Sequence, residues 1–366
     1  MQTLITFIIV LGLLVFVHEL GHFVMARILG VRVKEFGFGF PPRLWGMKRG
    51  GTTYSINWIP LGGFVRLHGE DGEEHDPGSF VAQHAWKRFL ILIAGVSMNV
   101  VLAAAVFAIG FATGLPTDMS AGTPAGGRVR DVQVQIIDVA KDSAASTIQL
   151  LPGDSLLELN GQTVTSVEDA QRIARDAGIA NVSITFRRSG KVVQRTVLLA
   201  KIPDSDRTGL GVSLVKVGTV SYPVFQAVWE GTRAAGSALW AIVQAFGQLL
   251  GNLVRTGSAG TEVAGPIGIA VLTGQVSRLG FAYLLQFVAL LSLNLAVINI
   301  LPIPALDGGR VLFLLLEKLR GKPMSRIIEA KIHNTGFAIL IALVTLITFR
   351  DVLKLDAFQS LWNRFF

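Results

Sequence analysis

Two histidines with a glutamate between them lie close to the N-terminus, in the sequence His18-Glu19-Leu20-Gly21-His22. Residues four apart share one face of an α-helix, so both imidazoles can reach a single metal ion. The intervening glutamate is close enough to take a proton from a metal-bound water. The motif therefore predicts a hydrolytic zinc centre in which His18 and His22 bind Zn²⁺ and Glu19 is the general base.

The motif lies inside an apolar stretch, Leu4 to Met25, that is long enough to cross a bilayer. This stretch has no basic n-region and no small-residue cleavage site, so it does not resemble a cleaved signal peptide. Ionisable groups in a membrane span are costly and usually mark function. The alternative is that the histidines lie near the membrane interface and that Glu19 pairs with Arg27.

A catalytic zinc usually has a third protein ligand. A later apolar stretch contains Pro302 and Pro304, which break its helix at membrane depth, and then Asp307. Irregular backbone is tolerated at that depth only where it is buried or lines a wet cavity. We therefore predict that Asp307 is the third ligand. The alternative is that Asp307 caps a helix beginning near Val311.

The composition, 51% hydrophobic and 16% charged over 366 residues, is that of a membrane protein. Three further spans are predicted at Phe89–Leu115, Phe281–Ile303 and His333–Phe349. The chain has no cysteine, so disulfides and thiolate metal ligands are excluded.

The net charge of +8 is carried mainly by the loops between spans one and two and between spans three and four. Because cytoplasmic loops are enriched in Lys and Arg, we place both loops in the cytoplasm and the 115–280 region outside. The basic residues do not share one soluble face, so nucleic acid is not a predicted partner. The lipid bilayer is.

Residues 222–254 are apolar, but polar residues recur along them at steps of three, four and seven, which is typical of a helix lying on a membrane. With four spans, Asp307 reaches the cytoplasmic side, where His18 and His22 lie about 21–27 Å along their helix. A fifth span at 222–254 would put Asp307 on the opposite side. The sequence therefore predicts four spans.

Two regions have β-strand signals. Residues 31–68 alternate aromatic and polar residues between glycines, which predicts a membrane-associated β-hairpin region. Residues 128–215 combine strand patterns, an Asn160-Gly161 turn and a helix starting at Ser166. That combination predicts a small α+β domain inserted on the outer side.

Together these motifs resemble the site-2 protease family, specifically its bacterial RseP-like branch. The resemblance rests on the His18–His22 motif, on the segment from Asn299 to Asp307-Gly, on Gly95-Val-Ser-Met-Asn99 and on Gly265-Pro-Ile-Gly. It implies zinc binding by both histidines and Asp307, with Glu19 as general base. It also implies substrate handling by the span-three asparagines. The substrate-binding residues that we predict are Asn294, Asn299, Pro302, Gly62, Gly63 and Phe64.

The segment Pro152 to Gly161 resembles the core of a PDZ domain, which would bind a strand between Val132–Val139 and the helix near Glu168–Ala177. The resemblance further implies an inner-membrane, multi-pass bacterial protein whose active site faces the cytoplasm and whose PDZ-like domain is extracytoplasmic. Expected substrates are single-span membrane proteins, such as anti-sigma factors, or signal-peptide remnants.

The expected fold is thus a polytopic α-helical membrane protein with four spans, a β-hairpin region and one PDZ-like domain. The expected divisions are 1–115 with two spans, 128–215 with the PDZ-like domain, 222–275 with the amphipathic helix and a linker, and 281–366 with two spans. Two rival classes are a metal transporter, which would not need Glu19, and an inactive peptide-binding receptor, which the complete motif disfavours.

Overall fold

A computed structural model describes residues 2–70, 76–120, 122–188, 190–201, 208–257, 264–322 and 324–353. The helices of this part of the chain are α1 (Gln2–Ile28), α2 (Ala85–Thr113), α3 (Ala144–Thr147), α4 (Val167–Ala177), α5 (Val224–Thr256), α6 (Pro266–Leu279), α7 (Phe281–Ile300), α8 (Asp307–Arg320) and α9 (Arg326–Leu353). Its strands are β1 (Val33–Arg49), β2 (Thr52–Leu67), β3 (Leu115–Asp118), β4 (Arg128–Val139), β5 (Ser155–Leu159), β6 (Gln162–Thr163), β7 (Asn181–Arg188), β8 (Lys191–Leu198), β9 (Ala200–Lys201), β10 (Thr208–Gly209) and β11 (Val212–Ser221).

Internal contacts divide the described chain into two compact units. The first, here called the helical unit, comprises described residues of 1–108, 229–280 and 284–366. The second, the sheet unit, comprises described residues of 109–228 and 281–283.

The four predicted spans correspond to helices α1, α2, α7 and α9. Two of them end earlier than predicted. Helix α2 stops at Thr113 because Gly114 has a φ of +115°, which a helix cannot continue. Helix α7 stops at Ile300 because the residue before Pro302 is forced out of the helical region, and Leu301 is extended with ψ of 141°.

Five of the described helices, not four, are long and apolar enough to cross a membrane. The additional one is α5, whose 33 residues include an 18-residue apolar window of lower hydropathy than the windows of the other four. A further helix, α6, begins within the stretch predicted as a linker and ends at Leu279, beyond the predicted limit of 275. Length and composition therefore leave the count of four spans as a prediction.

Close packing of α1 against α2 organises the helical unit. A Cβ atom on Gly21 of α1 would collide with the carbonyl of Ala94 in α2, so only glycine permits this backbone approach. Small residues allow the same close contact between helices in membranes generally. This contact fixes which turns of the two helices face each other.

Strands β1 and β2 form more than a simple hairpin. Residues 35–38 of β1 pair on one side with 53–56 and on the other with 63–66, while residues 43–49 pair with 52–57. The two strands therefore fold back into a four-segment sheet with 63–67 at one edge. By their register, residues 35–38 run antiparallel to 63–66 and parallel to 53–56. That edge lies against α1, because the Val65 N–H donates to the Glu19 carboxylate at 3.0 Å.

In the sheet unit, a seven-stranded antiparallel sheet has the order β3-β11-β4-β5-β7-β8, with β6 beside β5. Its buried core includes Ile136, Leu156 and Phe186, each at most 1% exposed. The predicted turn at Asn160-Gly161 is present, with positive φ at both residues. The Ser166 side chain accepts from the Asp169 N–H and caps α4, as predicted.

The predicted position of the peptide-binding groove, between Val132–Val139 and α4, is wrong. Strand β4 lies in the interior of the sheet, paired with β11 on one side and with β5 at Val134 and Gln135 on the other. Helix α4 instead neighbours β5, β10 and β11. Among the described residues, the partly unpaired edge next to α4 belongs to β11, whose partner β3 covers only residues 217–220.

Candidate metal centre

The centre is built from the middle of α1 and the first residue of α8, both in the helical unit. His18 and His22 point to the same side of α1, and their Nε2 atoms are 3.2 Å apart. Asp307 Oδ2 lies 3.0 Å from His18 Nε2 and 3.2 Å from His22 Nε2. Both histidines are buried, at 6% exposure each. The sequence prediction that these three residues meet agrees with this geometry.

Neither alternative interpretation agrees with the observed contacts. Helix α8 begins at Asp307 itself, its N-cap residue is Leu306, and no side chain caps it. Glu19 accepts from the Val65 N–H, and Arg27 donates to the Gly50 carbonyl. Asp307 is therefore not an N-cap, and Glu19 and Arg27 each contact a different group.

The donor atoms fit a cation. His22 Nδ1 donates to the Ile91 carbonyl at 2.8 Å, which leaves the Nε2 lone pair of a neutral imidazole directed at the cluster. Asp307 Oδ2 is buried and has no hydrogen-bond partner in the described residues. One ligand atom from each of the three residues lies within 4.8 Å of the others. Two imidazoles and a carboxylate are a donor set that zinc accepts.

His18 is held by a residue to which the sequence analysis gave no role. Asn99 of α2 is fully buried, and its amide nitrogen lies 3.2 Å from His18 Nδ1. The Asn99 carbonyl oxygen of the backbone also accepts from Ser292 Oγ of α7 at 2.7 Å. Asn99 thus connects three helices at the site. Its only sequence signal was its place in the Gly95–Asn99 motif.

Gly95 provides the space that the imidazoles occupy. A Cβ atom on Gly95 would collide with His22 Nε2 and lie 2.8 Å from His18 Cε1. The requirement is for space alone, because Gly95 is an ordinary helical residue of α2. A glycine within an apolar helix is common, so the sequence alone could not assign it to the site.

The backbone before Asp307 is shaped by its own contacts. Ala305 has a φ of +79°, unusual for a non-glycine residue, and its N–H donates to His333 Nδ1 of α9 at 3.0 Å. A Cβ on Gly308 would collide with the carbonyls of Ile300 and Leu301. The Leu-Asp-Gly sequence therefore permits a tight turn that directs Asp307 toward α1.

The predicted substrate-binding residues are distributed unevenly. Asn299 places its amide nitrogen 3.4 Å from His18 Nε2, whereas the Asn294 amide donates to Leu290 in its own helix. Gly63 lies next to Glu19: a Cβ there would be 3.8 Å from Glu19 Cγ. The other three lie on the segments that flank the site, as follows: Gly62 packs on Val15 of α1, Phe64 pairs with Gly37, and Pro302 follows the end of α7.

Comparison with known proteins gives a family. Residues 6–343 match the model of peptidase family M50. A Fusobacterium nucleatum protein, named provisionally as a zinc metalloprotease, is 33% identical over 97% of this chain and 99% of its own length. The zinc metalloprotease RasP of Geobacillus kaustophilus is 29% identical over 97% of this chain and 98% of its own length.

Among solved structures, the PDZ domain of an SdrC-like protein from Listeria monocytogenes matches 24% of this chain and 92% of that domain. The identity is 22% and the TM-score is 0.22.

Long apolar helices around a buried His-His-Asp cluster define a membrane metallopeptidase. The chain belongs to peptidase family M50. The predicted family and the predicted enzyme class, a zinc metalloprotease, are thereby confirmed.

Replacing Gly95 by alanine should displace both imidazoles, because the added methyl group would occupy the position of His22 Nε2. We expect zinc affinity, measured by chelator competition on the purified protein, to fall by about 10–100-fold or more. Gly247→Ala in α5, where an added Cβ meets no atom within 4 Å, is the matched control and should bind zinc normally. Normal zinc binding by Gly95→Ala would contradict the placement of the site.

Asn99 should act by keeping the His18 Nε2 lone pair free. The structure places Asn99 Nδ2 against Nδ1 and leaves Asn99 Oδ1 buried without a hydrogen-bond partner among the described residues. Exchanging the two amide atoms lets Oδ1 accept the Nδ1 proton and leaves Nε2 available to a metal. Asn99→Leu removes that acceptor and should lower zinc affinity by about 10–100-fold. Asn99→Asp keeps an acceptor and should bind more tightly than Asn99→Leu. Equal affinities for these two variants would show that Asn99 only fills space.

Proposed function

We propose that this chain is an intramembrane zinc protease that cleaves single-span membrane proteins within or next to the bilayer. The observation that carries the proposal is the buried cluster of His18, His22 and Asp307, with Glu19 on the same helix. A purely structural role would not explain three converging ligand atoms in an apolar helical unit, because unpaired polar groups there are costly.

His18, His22 and Asp307 would hold the zinc, which would supply a Lewis acid and lower the pKa of the attacking water. Glu19 then accepts a proton from that water and delivers it to the leaving amine as the peptide C–N bond breaks. The Val65 N–H holds Glu19 Oε2 at 3.0 Å and so orients the carboxylate before substrate arrives. Asn299, whose amide lies beside His18, is placed to donate to the scissile carbonyl as negative charge develops on it.

A transmembrane helix hides its amides, so a substrate must become extended before it is cleaved. Segment 63–67 is an edge of the β1–β2 sheet, and it runs past Glu19. An unwound substrate strand added to this edge would meet the zinc ligands at once. We therefore propose that Gly62, Gly63 and Phe64 form one side of the substrate path. Pro302 and Asn294, both near the end of α7, remain predicted contacts.

Contacts within the helical unit support four spans. Helices α1 and α2 are antiparallel, since Gly21 meets Ala94 and His18 meets Asn99. The part of α2 that belongs to the helical unit, up to Ala108, therefore runs toward the side where α1 begins. Gly231, near the start of α5, touches Ala108 on this side.

Helix α6 lies on the same side. Its Gly274 is next to Thr3 of α1, and its Gly268 N–H donates to Asp351 at the end of α9. Only eight peptide steps separate Thr256, the end of α5, from Ala264, and they can span at most about 28 Å. A crossing helix would need a return through about 30 Å of hydrocarbon, so we place α5 along the membrane surface.

We propose a bacterial inner-membrane location, with the active site toward the cytoplasm, from the basic loops that follow α1 and α8. The 128–215 region is proposed to be an extracytoplasmic PDZ-like domain, supported by its antiparallel sheet and by the open edge of β11 beside α4. It would filter or recognise substrates. Anti-sigma factors and signal-peptide remnants are the proposed substrate classes. The division of the rest of the chain into 1–115, 222–275 and 281–366 is likewise a proposal.

Glu19→Gln tests the mechanism. It removes the base but no zinc ligand, so zinc content should be retained while cleavage of a model transmembrane substrate falls by about 10²–10⁴-fold or more. The assay would compare product formation in proteoliposomes with bound zinc measured by atomic emission. Retained cleavage would refute the assignment of Glu19.

Asp307→Asn tests the ligand set separately. Losing a residue that only orients a metal ligand typically lowers metal affinity by about 10–100-fold. Asp307→Asn alters a proposed ligand itself, so it should lower zinc affinity by more than that. Unchanged zinc affinity would remove Asp307 from direct coordination while leaving the result for Glu19 intact.

A further inference from the structure

A long apolar groove runs along α9, outside the metal centre. Its volume is about 420 Å³. Helix α9 forms one wall through Lys331, Thr335, Ile339 and Leu343, and Ile303 and Pro304 form the other. Gly336 closes its base, because a Cβ there would collide with Pro304. None of these residues is a predicted metal ligand or general base.

The dimensions of the groove restrict its occupant. From Lys331 to Leu343 the helix rises about 18 Å, at about 1.5 Å per residue. The residues of α9 that line the groove recur every four positions over this length, so an occupant lies along the helix with one end at Lys331 and the other at Leu343.

The chemistry of the walls restricts the occupant further. An extended peptide would carry backbone N–H and C=O groups that need partners, and the side chains along the groove beyond Lys331 are aliphatic except for Thr335. A hydrocarbon chain needs no such partners. The lining therefore favours an acyl chain over a peptide strand.

One end of the groove is cationic. Lys331 lies in the second turn of α9, at the end of the helix near His333 and the Asp307 loop, and it is exposed. Within the described part of the chain, no acidic side chain forms an ion pair with it. A lysine at the end of an apolar helix extends its ammonium group toward the headgroup region. The charge and the depth match a lipid phosphate.

We propose that this groove binds one anionic phospholipid, with an acyl chain between α9 and Ile303–Pro304 and the phosphate at Lys331. The lipid would pack against the backbone that leads from Pro302 to Asp307. The binding itself does not depend on the proposed protease mechanism, and it can be measured on protein without zinc or substrate.

The test is native mass spectrometry of the full-length protein in detergent, titrated with phosphatidylglycerol or with phosphatidylcholine of the same acyl chains. We expect one tight adduct and a preference of about fivefold for phosphatidylglycerol, the effect of one cation near an anionic lipid. Lys331→Gln should abolish the preference. Lys318→Gln, which removes an exposed cation of α8 outside the groove, should leave it unchanged.

A second variant tests the acyl chain independently of charge. Ile339 is 64% exposed, so Ile339→Trp fills the groove without altering a packed core and should remove the tight adduct for both lipids. Unchanged adducts in Ile339→Trp, or an unchanged preference in Lys331→Gln, would overturn the proposal. Displacement of the lipid by a transmembrane substrate peptide would assign the groove to substrate and would also overturn it.

Discussion

The structure depends on one electrostatic constraint: three electron-rich atoms converge inside an apolar helical unit. The His18, His22 and Asp307 ligand atoms lie within 4.8 Å of one another, where little solvent can screen them. Such a cluster is stable when a cation occupies it and its partners are held in fixed orientations. The Ile91 carbonyl and Asn99 supply that orientation for the imidazoles. Much of the packing around α1 follows from this requirement.

Glycines meet the geometric side of the constraint. Gly21 lets α1 and α2 approach at the level of the histidines, Gly95 leaves room for the rings, and Gly308 permits the turn at Asp307. At each of these positions a side chain would collide with neighbouring atoms. The three glycines belong to three different helices. Zinc coordination in this protein therefore depends as much on helix packing as on the ligands themselves.

The convergence of His18, His22 and Asp307 could be predicted from sequence because a helix converts a four-residue spacing into a shared face, and because the four-span prediction brings Asp307 to the same side. Asn99, Gly95 and His333 could not be assigned in the same way. Their roles depend on which turns of α1 and α2 meet and on the backbone conformation at Ala305. Those features arise from tertiary packing, which leaves no periodic signal in the sequence.

The β-structure shows the same division. The strands and turns of 128–215 followed from alternation and from Asn-Gly chemistry, but the neighbours of β4 did not, because the returning strand β11 is distant in sequence. Likewise, the alternation of residues between glycines predicted strands in 31–68, while the four-segment pairing of β1 and β2 depends on register shifts that the pattern does not specify.

The edge formed by residues 63–67 has a further consequence. Main-chain groups are common to all residues, so an edge that recognises them discriminates little between side chains. Selection would then shift to the free energy of local helix melting, which is low where a guest segment contains glycine, proline or β-branched residues. Under that scheme the protein selects its targets by the fragility of their helices rather than by a consensus sequence.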